Sequence, residues 1–130
     1  MKTEPRPAVA ARSALALRGE TLASEHLERC GFRIVERNAR TRFGEIDVIA
    51  HGHDTIVFVE VKTRRAGGSA GEPLEAIDHR KVRQVRKLAA SWLAEAPNRP
   101  SAGDIRFDAI GVTVDGRGGL VSLDHLEGAF

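Results

Sequence analysis

The stretch from Gly44 to Lys62, GEIDVIAHGHDTIVFVEVK, constrains the fold more than any other. Two apolar runs separated by a short polar segment predict a β-hairpin. Its strands also carry charge: Glu45 and Asp47 lie two apart on the first, Glu60 and Lys62 two apart on the second. Side chains alternate along a strand, so each pair shares a face. On the second strand that face also holds Ile56 and Phe58, while Val57, Val59 and Val61 point the other way. Core strands rarely carry charge unless it is paired or holds a metal.

Whether the two pairs meet depends on the turn. If His51 pairs with Asp54 (loop Gly52-His53) or with Ile56 (loop Gly52 to Thr55), Asp47 and Glu60 share a face. An odd loop would separate them, because a one-residue slip reverses every side chain. Convergence of two carboxylates and a lysine on one patch is the more economical arrangement.

At 130 residues the chain is expected to be a single domain with a real core. Cys30 is the only cysteine, which excludes an internal disulfide and suits a reducing, cytoplasmic setting. No apolar run approaches the ~20 residues of a membrane span. Ala8 to Leu17 is alanine-rich but broken by Arg12, which does not suit a secretory signal. The net charge of +2 hides an asymmetry: residues 62 to 87 hold eight basic side chains against three acidic ones, whereas residues 104 to 130 hold two against five. Basic charge beside the hairpin suits a polyanionic partner; a solvated helix face is the plainer explanation.

Residues 1 to 12, with Pro5 and Pro7, predict a flexible arm. A helix follows from an N-cap at Ser13 to Cys30, on a stripe of Leu15, Gly19, Leu22, Ala23, His26 and Cys30, with Gly31 as its left-handed cap. Glu20 lies next to that stripe and by itself reads as a surface residue. Phe32 to Asn38 alternates as a strand, and Ala39 to Phe43 is a short basic link carrying Arg40 and Arg42. After the hairpin, Thr63 to Glu72 predicts a glycine-rich mobile loop with Arg64 and Arg65 near any bound anion. Pro73 to Ile77 suits a helical turn, and Asp78 caps a second helix to about Ala94. The stripe of that helix is Val82, Val85, Ala89, Trp92 and Leu93, which places Trp92 in the core. Arg80, Lys81, Arg83, Gln84, Arg86 and Lys87 take most of its other surface. Asp104 to Val114 is a strand with Gly111 as a bulge candidate, Asp115 to Gly119 a turn, Leu120 to Asp124 a last strand, and His125 to Phe130 a tail that tucks back.

Paired carboxylates on adjacent strands hold hard divalent cations; Mg²⁺ takes anionic oxygens at ~2.1 Å and keeps waters elsewhere. Such a metal supplies a nucleophilic water and neutralises a phosphate, and a lysine on the same face can orient the water or stabilise the phosphorane. Asp47, then Glu60-Val61-Lys62, with a preceding helix bearing Glu20, resembles the PD-(D/E)XK nuclease superfamily. Ile46 stands where the motif's name has proline. Within the superfamily, the set Arg18-Gly19-Glu20, Asn38-Ala39-Arg40, Gly44 to Ala50, Val57 to Arg64, Arg106-Phe107-Asp108 and Ala129-Phe130 resembles the YraN family of small bacterial proteins, similar to archaeal Holliday junction resolvases. The resemblance covers the chain from about residue 18 to its end.

It implies a restriction endonuclease-like α/β fold: an αβββαβ core with a mixed central sheet flanked by helices. It also implies Mg²⁺ or Mn²⁺ held by Asp47, Glu60, the Val61 carbonyl and Glu20, with Lys62 as the catalytic lysine. Arg42, Arg64, Arg65, Arg80, Lys81, Arg83, Arg86 and Lys87 are the candidate nucleic-acid contacts. A resolvase making paired cuts needs two active sites and hence a homodimer, although no residue marks its surface. Glu45 either supports the site or pairs with Arg42. His51 and His53 lack the further ligands of a transition-metal site, and Cys30 reads as a small buried residue rather than a nucleophile. Three function classes compete: a Mg²⁺-dependent DNA endonuclease for branched or single-stranded substrates, a non-catalytic nucleic-acid binder with the same fold, and a protein-interaction subunit. The acid-acid-lysine set favours the first over the second, and the clustered arginines favour both over the third.

Overall fold

The computed structural model describes residues 13–68 and 79–130. Seven elements follow one another: α1 (Ala14–Arg29), β1 (Arg33–Thr41), β2 (Gly44–Gly52), β3 (Thr55–Arg65), α2 (His79–Glu95), β4 (Asp104–Val114) and β5 (Leu120–Leu126). The first six reproduce the αβββαβ order, and β5 extends the sheet at one edge. The sheet runs β1-β2-β3-β4-β5. Among the described residues only the β3–β4 pairing is parallel, and α2 lies in the connection between those strands. The architecture is α/β, a mixed sheet between two helices.

Local chemistry sets α1 well. The Ser13 hydroxyl accepts from the Ala16 N–H at 3.0 Å, satisfying one orphan donor of the first turn. At the other end Gly31 takes φ 93°, which lets Phe32 N–H return to the Leu27 carbonyl and Gly31 N–H to that of Glu28, both at 3.0 Å. Leu22, Ala23 and Leu27 then bury against Val48, Ala50, Val57, Val59, Ile110 and Val112 on one face of the sheet. On the opposite face Leu88, Ala89 and Trp92 of α2 cover Ile49, Ile56 and Phe58. Trp92 is core, edge-on to Phe58 with centroids 5.7 Å apart, and its indole N–H donates to Glu36 at 3.2 Å.

Several boundaries differ from expectation. The link after Asn38 is strand as far as Thr41, so the connection shrinks to Arg42-Phe43 between the paired Thr41 and Gly44. β3 runs on to Arg65, because it keeps β4 as a partner there; Arg64 and Arg65 therefore sit on a strand rather than a mobile loop. Gly111 pairs regularly with Lys62 and Asp124, and the irregularity falls between Thr113 and Val114 instead. Leu88, missed in the stripe, is buried with Val85. Cys30 is exposed at the helix cap, not buried. The tail does tuck back: Ala129 N–H donates to the Phe107 carbonyl at 2.8 Å and Arg86 to that of Phe130 at 3.2 Å. The N-terminal arm, the Pro73 to Ile77 turn and the Asp78 cap lie outside the described residues.

Gly19 is the closest approach of helix to sheet. A Cβ there would lie 1.7 Å from Thr63 Oγ1 and 2.8 Å from its Cβ, so nothing larger than glycine fits without moving α1 off β3. Gly19→Ala is therefore expected to cost about 1–3 kcal/mol, the usual penalty of overpacking. That lowers the thermal midpoint by several degrees in a chain of this size. Thermal unfolding followed by circular dichroism checks it; an unchanged midpoint would show that the helix does not sit where it is described.

Candidate active site at a split in the sheet

The hairpin turn is His53-Asp54, both with positive φ (51° and 56°), the geometry of a tight primed turn. Gly52 pairs with Thr55 and His51 with Ile56, one of the two arrangements that put Asp47 and Glu60 on one face. The ladder between β2 and β3 runs only as far as Val48↔Val59. Beyond that point β2 stays with β1 down to Gly44, and β3 stays with β4 up to Arg65. The sheet divides. Asp47 stands at the fork, where its Oδ2 accepts the Val61 N–H at 2.8 Å.

Two features explain why the sheet opens there. Arg37↔Val48 and Ala39↔Ile46 pair across β1 and β2, which places Asn38 opposite Asp47. Asn38 has φ 53°, a left-handed conformation that asparagine tolerates better than most residues. The alternation also breaks: Val48 belongs to the α1 side of the core, but Ile46, two residues earlier, joins Ala39 on the α2 side. Regular alternation from Val48 already puts Asp47 on the α2 face with Glu60; the break falls just beyond it and carries Ile46 to that side as well.

A groove results between the fork and α2. Glu45, Asp47 and Glu60 line it from the strands, and Lys81, Gln84 and Leu88 from the helix. Glu60 is ion-paired with Lys81, and Lys62 Nζ lies 3.4 Å from its Oε1. The Lys62 side chain is 53% exposed and that of Glu60 14%. A pair this exposed contributes at most about 1 kcal/mol to stability, too little to explain three acids and two lysines in place of apolar packing. Among the described residues no group of three or more His, Cys, Asp or Glu side chains is preassembled as a metal cage. Two carboxylates do suit Mg²⁺, which commonly binds through one or two carboxylates and keeps several waters.

Glu20 is 2% exposed, not the surface residue that its place beside the stripe suggests. It lies on α1, next to the Gly19–Thr63 contact and across the sheet from α2, and is not part of the groove lining. The basic residues of α2 separate by role. Arg80 and Arg83 are exposed; Lys81 engages Glu60; Arg86 lies 5.0 Å from the Phe107 ring centroid, and Lys87 4.2 Å from that of Phe43. Arg42 also stacks on Phe43, at 4.8 Å, and Arg65 is exposed at the end of β3. His51 and His53 point to different carbonyls, Ser101 at 3.2 Å and Cys30 at 3.0 Å, so they make no joint site.

A second polar cluster, invisible in the hydropathy pattern, surrounds Asp108 on β4. Asp108 is fully buried and accepts from Arg106 Nε and Nη2 (both 2.9 Å), from His125 Nε2 (2.7 Å) and from the Gly128 N–H (3.0 Å). His125 Nδ1 in turn lies 3.0 Å from His26 Nε2 on α1. Burial alone would raise the Asp108 pKa. The hydrogen bonds from His125, Arg106 and Gly128, with the Arg106 charge, outweigh burial and hold it below its ordinary value of 3.8. His26 is held below 6.5, chiefly by burial and then by the charges of His125 and Arg29. The signal for this cluster is Arg-X-Asp on a strand, a spacing that puts both on one face. It ties α1, β4, β5 and the tail together.

Both depressed values give stability that is present at high pH and lost on acidification. The His26 contribution weakens as pH falls below 6.5, and that of Asp108 as pH falls below 3.8. Asp108→Asn is expected to destabilise by about 3 kcal/mol at neutral pH, as when a buried ion pair is left with one partner. Its thermal midpoint should then change less than that of the parent between pH 5 and pH 3 (about the titration range of such groups). Parallel midpoint-against-pH curves would contradict the assignment.

A family model described as "Uncharacterised protein family UPF0102" matches residues 19–112. A UPF0102 protein of Mycobacterium avium (strain 104) is 48% identical over 119 residues, covering 90% of each chain. One from Geobacter metallireducens is 44% identical over 116 residues, covering 89% of this chain and 91% of its own. Among solved structures, the crystal structure of a repair endonuclease from Pyrococcus abyssi aligns with a TM-score of 0.41 and 21% identity, over 84% of this chain and 40% of that one. With a family model spanning most of the fold and relatives matched nearly end to end, the chain belongs to the UPF0102 family, the YraN family of the sequence resemblance.

Proposed function

We propose that the chain is a metal-dependent endonuclease that hydrolyses phosphodiester bonds of DNA, at the groove where β2 and β3 part. The observation that supports this most is the convergence of Asp47 and Glu60 on that groove, with Lys62 and Lys81 at Glu60. In this reading Asp47, Glu60 and the Val61 carbonyl would hold Mg²⁺ or Mn²⁺; Glu20, buried on α1 outside the groove lining, is left out of the ligand set. The ion, when bound, activates a water and neutralises charge on the phosphate. The chain's own residues do the rest. The Val61 N–H fixes the Asp47 carboxylate at the fork. Lys62, half exposed, positions the attacking water and meets the charge that develops on the phosphate. Lys81 holds Glu60 in place and screens its repulsion with Asp47. Arg80, Arg83 and Arg65 present positive charge to the backbone on either side.

One observation favours a non-catalytic binder instead: Glu60 is already neutralised by two lysines, an arrangement that competes with a metal. An assay separates the two. Incubation with single-stranded, duplex, forked and four-way DNA, and with tRNA, should show Mg²⁺- or Mn²⁺-dependent cleavage of at least one DNA. Asp47→Ala, Glu60→Ala and Lys62→Ala should each lower it by at least about 100-fold, the scale on which a charge-stabilising group acts. Cleavage surviving all three changes would remove the site assignment. Arg80→Ala with Arg83→Ala should weaken binding to every sequence. The same double change should reduce the salt slope by about two, one for each phosphate that an arginine no longer neutralises.

A further inference from the structure

We propose that Phe43 is a stacking platform for an unpaired nucleobase at the mouth of the groove. The substrate is then single-stranded or locally opened nucleic acid rather than continuous duplex; this rests on the nucleic-acid reading above. Phe43 occupies the two-residue turn between β1 and β2 and is 36% exposed. The chain has no tyrosine and one tryptophan, and Trp92, Phe32 and Phe58 are buried. Phe107 and Phe130 are half-buried, so among the described residues Phe43 is the exposed phenylalanine.

Its surroundings are those of a nucleotide subsite. Lys87 Nζ lies 4.2 Å and the Arg42 guanidinium carbon 4.8 Å from the ring centroid. Both cations sit over the ring itself, so a base takes its face by displacing one of them, which is then at hand for a flanking phosphate. The turn is held on α2. Gln84 Nε2 donates to the Phe43 carbonyl at 3.0 Å, the Thr41 hydroxyl donates to the Gly44 carbonyl at 2.9 Å, and it accepts the Phe43 N–H at 3.1 Å. Gln84 also lines the groove with Asp47 and Glu60. The turn that carries the ring is thus held by the same side chain that forms part of the groove wall. A tight turn needs no aromatic residue, and the ring, 36% exposed, belongs to neither buried cluster. A base inside a duplex has both faces covered by its neighbours, so only an unpaired base can use the ring.

The test is fluorescence anisotropy of the full chain with labelled oligothymidylate and with the matching adenine–thymine duplex, in EDTA to prevent cleavage. Phe43→Ala and Phe43→Leu should both weaken oligothymidylate binding about tenfold while leaving duplex binding unchanged. Leucine keeps the apolar bulk but has no aromatic face. Phe43→Trp should restore affinity, and oligothymidylate should quench its indole emission beyond any change shown by Trp92 in the parent. Oligothymidylate affinity unaltered in Phe43→Leu, with the parent still binding, would overturn the stacking role and leave the nucleic-acid reading intact. Equal losses on single strand and duplex would overturn it too, by making Phe43 a support of the fold. A parent that binds neither DNA would remove the nucleic-acid reading and this inference together.

Discussion

The hydrogen bond from the Val61 N–H to the Asp47 carboxylate marks the constraint on which the rest of the structure depends. In an unbroken antiparallel ladder backbone groups pair with backbone groups. At the fork a side chain takes over, and two strands are free to follow different neighbours. β2 continues on β1 and β3 on β4, so the sheet survives the division with its strands still paired on the outer side. Burial anchors the undivided half. Val48, Ala50, Val57 and Val59 bury against α1, and Ile49, Ile56 and Phe58 against α2. The acids lie just past the last of these contacts, where the strands part and the groove begins.

The described residues form two polar clusters of opposite character. Around Asp108, one arginine, one histidine and one backbone N–H supply the carboxylate with four short hydrogen bonds, and the carboxylate itself is closed to solvent. That is how a buried charge is made tolerable, and its role is to fix α1 and the tail against β4 and β5. Around Glu60 the partners are two long, partly exposed lysines that give up little on moving away. A closed cluster stabilises; an open one can exchange its partners for a ligand. The groove is the open one.

Much of this was legible in the residues. Period-two alternation located the strands, Ser13 and Gly31 bounded α1, and the parity of the hairpin loop reduced the face question to two alternatives. The His51↔Ile56 pairing decides between them, because His53 and Asp54 both accept left-handed backbone. What stayed hidden depends on tertiary contacts. Asn38 reads as a strand end, since a positive φ inside a strand leaves no mark in hydropathy. Glu20 beside the stripe looks exposed until Gly19 brings its helix down onto Thr63. Arg64 and Arg65 look like loop residues because the glycines after them dominate the local signal, whereas pairing with β4 decides the matter.

The fold of a UPF0102 chain thus places a carboxylate pair where a sheet splits and lets a basic helix cover it. The account stands on that pair binding a divalent metal. Titration of the full chain with Mn²⁺, followed by electron paramagnetic resonance of the free ion, reads this without reference to turnover. It should show saturable uptake that Asp47→Asn and Glu60→Gln each abolish and that Lys81→Met, by releasing Glu60, strengthens. Uptake that is absent from the parent, or equal in the parent and both acid variants, would contradict the account.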